Sequence, residues 1–198
     1  MFGYPRTGVF SGKVKYMILG RRRLTILAGC ALTAASVFSA SGASHAATGW
    51  LQYHNKASHY TFSYPAAWKS DHSHKDGTDF SVQSVDGETY VGVVAIADAH
   101  PTTSLRAIDL GGLQGGGKMV TTPTYKTLTI HGSTFEASQA FEKASSGEEL
   151  NVMVLTARNS HKIYLLTAVV AGTPKGGPTH PAELTAATTM LQSMDILG

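Results

Sequence analysis

From residue 60 onward, apolar and polar positions alternate in short runs broken by turn residues, the period of half-buried strands rather than of helices. In the run 60–65, YTFSYP, the aromatics Tyr60, Phe62 and Tyr64 fall on one face, Thr61 and Ser63 on the other, and Pro65 ends the strand. The alternation resumes over 78–85 through Phe80 and Val82, and Asp86-Gly87 predicts a two-residue hairpin turn into 89–97. That third run, TYVGVVAIA, is apolar on both faces, which predicts a central strand with helices covering both sides.

Two further hairpins follow. One joins 125–130 to 133–143 about His131-Gly132, with Phe135, Ala137, Gln139 and Phe141 sharing a face. The other folds 149–170 about Asn159-Ser160. Helical spacing occurs twice. After Pro101 a threonine cap precedes Leu105, Ile108 and Gly112, a short helix weakened from Gly111 onward. In 180–197, Pro181 sits where a first turn tolerates it, and Leu184, Ala187, Leu191 and Met194 form one apolar stripe. Strands, a helix, a long antiparallel run and a closing helix predict the α+β class rather than a parallel nucleotide-binding sheet.

Residues 1–46 stand apart from this pattern. Arg21, Arg22 and Arg23 form a basic head, Leu24 to Phe38 an apolar middle, and Ser44-His45-Ala46 a small-residue site for cleavage before Ala47. This reads as an export signal, with Met17 offering a second start, and the apolar run is too short for a comfortable permanent anchor. The favoured route is signal cleavage after Ala46. Leu27-Ala28-Gly29-Cys30 supports a rival route, a lipobox with acylation of Cys30, and the arginines leave twin-arginine export open. The expected organisation is a leader over 1–46 and a single domain over 47–198 in an extracytoplasmic location, with membrane association only through a lipid on Cys30 or a partner.

Removing the leader changes the charge. The precursor carries +3, but six of its sixteen Lys and Arg and none of its thirteen Asp and Glu precede residue 47, so ten bases face thirteen acids and the mature chain is −3. The basicity that would suggest a nucleic-acid partner leaves with the leader. Cys30 is the only cysteine, so the mature chain has no disulfide and no nucleophilic thiol.

Gly112 to Lys118 meets the spacing of a phosphate-binding loop, but Met119 stands where Ser or Thr should hold magnesium, and the segment follows a helix. No G-x-S-x-G elbow is present, Ser133 and His131 share a turn, and Glu148-Glu149 reads as a solvated turn, so no enzyme is expected. His72 and His74, with Asp76, are the only histidine pair close enough in sequence to chelate, and would suit zinc, copper or manganese. The same residues equally suit a solvated loop, which is the favoured reading. His54, His59, His100, His131, His161 and His180 are scattered, as turn and surface histidines are.

The 60–68 run YTFSYPAAW, LTIHGSTFEA at mid-chain, the strand IYLLTAVV and a closing MLQSMDI fall in an order that resembles the PsbP/Mog1-like group across roughly residues 50 to 197. The resemblance implies an α/β/α sandwich with a central, mainly antiparallel sheet flanked by helices. It makes Trp68 an aromatic anchor after the opening strand, Gly132 a tight turn, and Leu191 and Met194 the docking face of the last helix. It also implies an exported, non-catalytic binding or assembly module of the cell envelope, its partner a protein or another envelope component. PsbP-type members are associated with calcium and manganese, but their ligands match no position in this chain. A metal-binding accessory protein, in a photosystem setting or elsewhere, is thus the alternative, and an exported hydrolase a distant third. The leader is short for a chloroplast protein, which argues against a plant photosystem.

Overall fold

The computed structural model describes residues 49–72, 78–99, 102–113 and 118–197. The leader, Cys30, and His74 with Asp76 lie outside these residues. In chain order the elements are β1 (Trp50–Asn55), β2 (Tyr60–Pro65), β3 (Lys69–Asp71), β4 (Phe80–Gln83), β5 (Thr89–Ala97), α1 (Leu105–Leu113), β6 (Lys118–Met119), β7 (Thr124–Ile130), β8 (Ser133–Lys143), β9 (Glu149–Arg158), β10 (Lys162–Thr173), β11 (Gly177–Pro178), α2 (Pro181–Gln192) and β12 (Asp195–Ile196).

All pairings among the described residues are antiparallel. The large sheet runs β3-β4-β5-β10-β9-β8-β6, with β7 also on β8 and β11 on β10, while β1, β2 and β12 form a small sheet. The β7–β8 turn is the expected one. His131 and Gly132 both have positive φ, at 47° and 80°, the backbone that a two-residue hairpin with the right-handed strand twist demands. The β4–β5 connection is longer than Asp86-Gly87. Its tip is Val85-Asp86-Gly87, closed by the Gly87 amide on the Ser84 carbonyl, with Gly87 left-handed at φ 82°.

Every residue from Leu150 to Ala157 in β9 is buried, because successive side chains point to opposite faces and both faces are covered. Met153, Leu155 and Ala157 join one core, which contains Phe80, Val91, Val93, Leu166, Ala168 and the α2 residues Ala187, Met190 and Leu191. Leu150, Val152 and Val154 join the other, which Leu113 of α1 closes. The strand covered by a helix on one face and α2's core on the other is therefore β9. The expectation for β5 is corrected in part: it is an interior strand against α2, but α1 lies over β8 and β9.

Two further expectations change. Ser104, not a threonine, caps α1, its Oγ accepting from the Ala107 amide at 3.2 Å. The closing helix stops at Gln192, and Asp195 and Ile196 pair with Thr61 and Tyr60. Ser193 makes the break: its Oγ accepts from the Ser63 amide at 2.8 Å and the side chain turns back on the helix end at Met190. Met194, placed by sequence on the helical stripe, is fully buried just beyond the helix, and Leu191 beside it is also fully buried.

Tyr164 carries a polar group into the apolar layer. Its hydroxyl donates to the Ser58 carbonyl at 3.0 Å and accepts from Asn159 Nδ2 at 2.9 Å, so it ties the β1–β2 connection to the β9–β10 turn. Tyr164→Phe leaves both partners wanting, and a loss of about 1 to 3 kcal/mol is expected, read as a lower denaturant midpoint with an unchanged slope.

Candidate metal centre

The tip of the β4–β5 hairpin and the first turn of α2 meet through backbone that is hydrogen-bonded on both sides. The Ala171 amide bonds the Glu88 carbonyl at 3.2 Å, and the Thr179 amide bonds the Ala171 carbonyl at 3.1 Å. This sets His180, at the helix N-cap, against the hairpin. Pro181 then fixes the first turn, and Glu183 lies three residues on from His180, one turn further along the same side.

Four titratable side chains converge there. His180 Nε2 is 2.6 Å from Glu88 Oε2 and its Nδ1 is 3.6 Å from Asp86 Oδ2. One ligand atom each from Asp86, His180 and Glu183 lies within 4.8 Å of the others. Asp86 Oδ1 is held by the Ser84 hydroxyl at 2.6 Å and the Glu88 amide at 3.0 Å, and Glu183 Oε2 accepts from the buried Thr89 hydroxyl at 2.5 Å. Asp86 is exposed, whereas His180 and Glu183 are half-buried.

The two carboxyl groups that face each other are driven apart in acidity. Burial pushes Asp86 up, but the Ser84 hydroxyl, the Glu88 amide, a hydrogen bond from Glu183 and the nearby His180 outweigh it and hold the group below its ordinary value. Glu183 is pushed up, first by burial and then by the Asp86 charge, against the opposing Thr89 hydrogen bond. Asp86 is thus the stronger acid of the pair. A divalent cation would offset the repulsion between the two carboxylates, which with one imidazole form a donor set suited to manganese or zinc.

Of the candidate ligands at 72–76, which read more readily as a solvated loop, only His72 lies among the described residues. His72 is exposed, with its ring edge-on to Phe80 at 4.7 Å and tilted against Tyr53 at 5.5 Å, so it rests on the aromatic layer. Lys118 of the phosphate-loop spacing is exposed on β6, and residues 114–117 lie outside the described ones. His180 was read as one of the scattered surface histidines, but it stands among carboxylates. The one local signal for it was the His180, Glu183 spacing at the start of a helix. Asp86 and Glu88 read only as turn residues, because nothing local joins a hairpin tip to a helix 94 positions away.

Among the described residues, two antiparallel sheets with a closing helix and a short tail strand paired to β2 make an α+β fold of the PsbP-like kind. Cyanobacterial PsbP (CyanoP) from Synechocystis has this fold, with a TM-score of 0.52 at 13% identity over 81% of this chain and 98% of that one. A crystal structure from Bacteroides thetaiotaomicron is similar at a TM-score of 0.51 and 10% identity, over 74% of this chain and 48% of that one. LpqN, described as involved in cell envelope biogenesis of Mycobacterium tuberculosis, gives 0.49 at 12% identity, over 75% and 92%. No family model matches the chain, and no curated protein matches it in sequence.

Proposed function

We propose that this chain is a non-catalytic binding module that works outside the cytoplasm, at the cell envelope, and takes up a divalent cation where the β4–β5 hairpin meets α2. The observation that carries it is the convergence of Asp86, His180 and Glu183 ligand atoms within 4.8 Å, with Glu88 on the second imidazole nitrogen. The export-type leader supports the envelope setting, and the chain shares a fold with cyanobacterial PsbP. A cation here would link two elements distant in sequence, so its first effect is on stability. The binding role toward a protein or other envelope component rests on the same fold, which presents long strands and helix faces.

Thermal unfolding in chelator, with manganese, zinc or calcium then added singly, tests the cation. An ion bound only by the folded state at about a hundred times its dissociation constant adds about 2.7 kcal/mol, roughly 5 to 10 °C for about 150 residues. That rise is expected for the wild type and absent from Asp86→Asn/His180→Ala. A rise retained in that variant and lost in His72→Ala/His74→Ala would move the centre to residues 72–76. No rise with any of the ions would leave the joint a set of ion pairs.

A further inference from the structure

Helix α1 carries an acid in the middle of the side that it buries. Leu105 and Ile108 are half-buried and Leu113 fully buried, yet Asp109, one turn before Leu113, is also fully buried. Its Oδ1 accepts from the Thr156 hydroxyl of β9, while Oδ2 has no hydrogen-bond partner among the described residues. Ser138 of β8 lies near enough for its hydroxyl to favour the carboxylate, but its Oγ makes no well-formed hydrogen bond. Further along the same face of β8, Glu142 is 1% exposed and its Oε1 is also without a partner. It stands between Ala140 and Ala144, both members of the cluster that Leu113 closes.

Among the described residues, no base is seen to neutralise either acid. Facing Asp109 are Thr156 on β9 and, on β8, Ser138 and the half-buried Glu136, whose charge adds repulsion. Arg158, two residues beyond Thr156 on the same face, is paired with Asp98 at 2.5 Å. Arg106, one turn before Asp109, lies 3.9 Å over the Tyr125 ring of β7. Glu142 has Met119 of β6 and Leu150 of β9 as its cross-strand neighbours, while Lys118 and Lys143, a ladder pair, alternate to the other face.

A buried carboxylate without a counter-charge is tolerated only when protonated. We infer that α1 is a proton-controlled latch: with Asp109 and Glu142 neutral it lies closed on β8 and β9, and ionisation of these acids lifts it from the sheet. The helix is weak enough to respond, since it spans nine residues and ends in Gly111, Gly112 and Leu113. Burial pushes both acids to about 7, from ordinary values of 3.8 and 4.5. Because both groups are raised in the fold, their contribution is fully present below about pH 4, is lost as pH rises toward 7, and changes no further above that.

Amide hydrogen exchange of the full protein between pH 5 and 8, corrected for the intrinsic rate, reads the latch. Protection over 105–113 is expected to fall as pH rises, by up to about tenfold per pH unit for each titrating acid, and to level off above about 7. Protection over 162–170 in β10 should hold. Asp109→Asn and Glu142→Gln should each reduce the slope of the α1 profile, and the double variant should flatten it. Carbon-13 titration of the wild-type carboxyl groups gives a second reading that needs no variant, with a midpoint near neutral expected for Asp109. An Asp109 midpoint near 4, α1 protection indifferent to pH, or parallel loss in α1 and β10 would each overturn the latch.

Discussion

Phe80→Ala is expected to cost about 3 to 5 kcal/mol of folding stability, the range for deleting a fully buried aromatic ring from a core that cannot collapse around the void. Phe80 is 0% exposed, and four rings surround it. Tyr53 stacks on it at 4.0 Å, Phe62 meets it edge-on at 5.2 Å, and Tyr64 and His72 approach at 5.3 Å and 4.7 Å. These four rings come from β1, β2 and the residue after β3, and Phe80 itself from β4, so this side chain joins the small sheet to the large one. Denaturant unfolding reads the loss as a shift in midpoint. A cost below about 1 kcal/mol would mean that the small sheet is not seated on Phe80.

Leu191→Ala is expected to cost about 2 to 5 kcal/mol. Leu191 is 0% exposed near the end of α2, flanked by Met190 and Met194, both fully buried. The cost should lie toward the upper end. The helix cannot slide inward to fill the gap, because Ser193 holds its last turn to β2 and His180 holds its first turn to the hairpin. The two variants share one core, so their effects in combination should not simply add. The double variant, measured beside the singles, reports that coupling.

The alternation over 60–65, 78–85 and 133–143 was legible in the sequence because each strand sets its large apolar side chains on one face, and alternation is what such a strand must show. The β7–β8 hairpin was legible because His131-Gly132 supplies the positive-φ pair itself. What escaped notice was whatever depends on a distant partner. In β1, WLQYHN, only Trp50, Tyr53 and Asn55 are half-buried, a spacing without clean alternation, and the strand exists because β2 offers it an edge. The tail at Asp195 and Ile196 continues a helical pattern in sequence, but pairing with β2 outweighs that local preference. On β8 the run Phe135, Ala137, Gln139 and Phe141 shares a face as read, but Gln139 and Phe141 are only half-buried, while Ser138, Ala140 and Glu142 on the opposite face are buried. That face is polar in composition, and only α1 makes it an interior. Asp109 had a visible mark, an acid between Leu105 and Leu113 at four-residue steps, whereas Asp86 and Glu88 had none.

The last strand has a consequence for how the molecule comes into being. β2 is among the first strands of the domain to be synthesised, and it gains its second partner from residues that are among the last. The Ser63 amide waits for a hydroxyl 130 positions later, and the His59 carbonyl for the amide of Leu197. Until the final residues are free, β2 has one bare edge and α2 has no anchored end. Contacts of such long separation form late and slowly. A chain whose last residues are still held back therefore cannot close this edge of β2 or fix the end of α2.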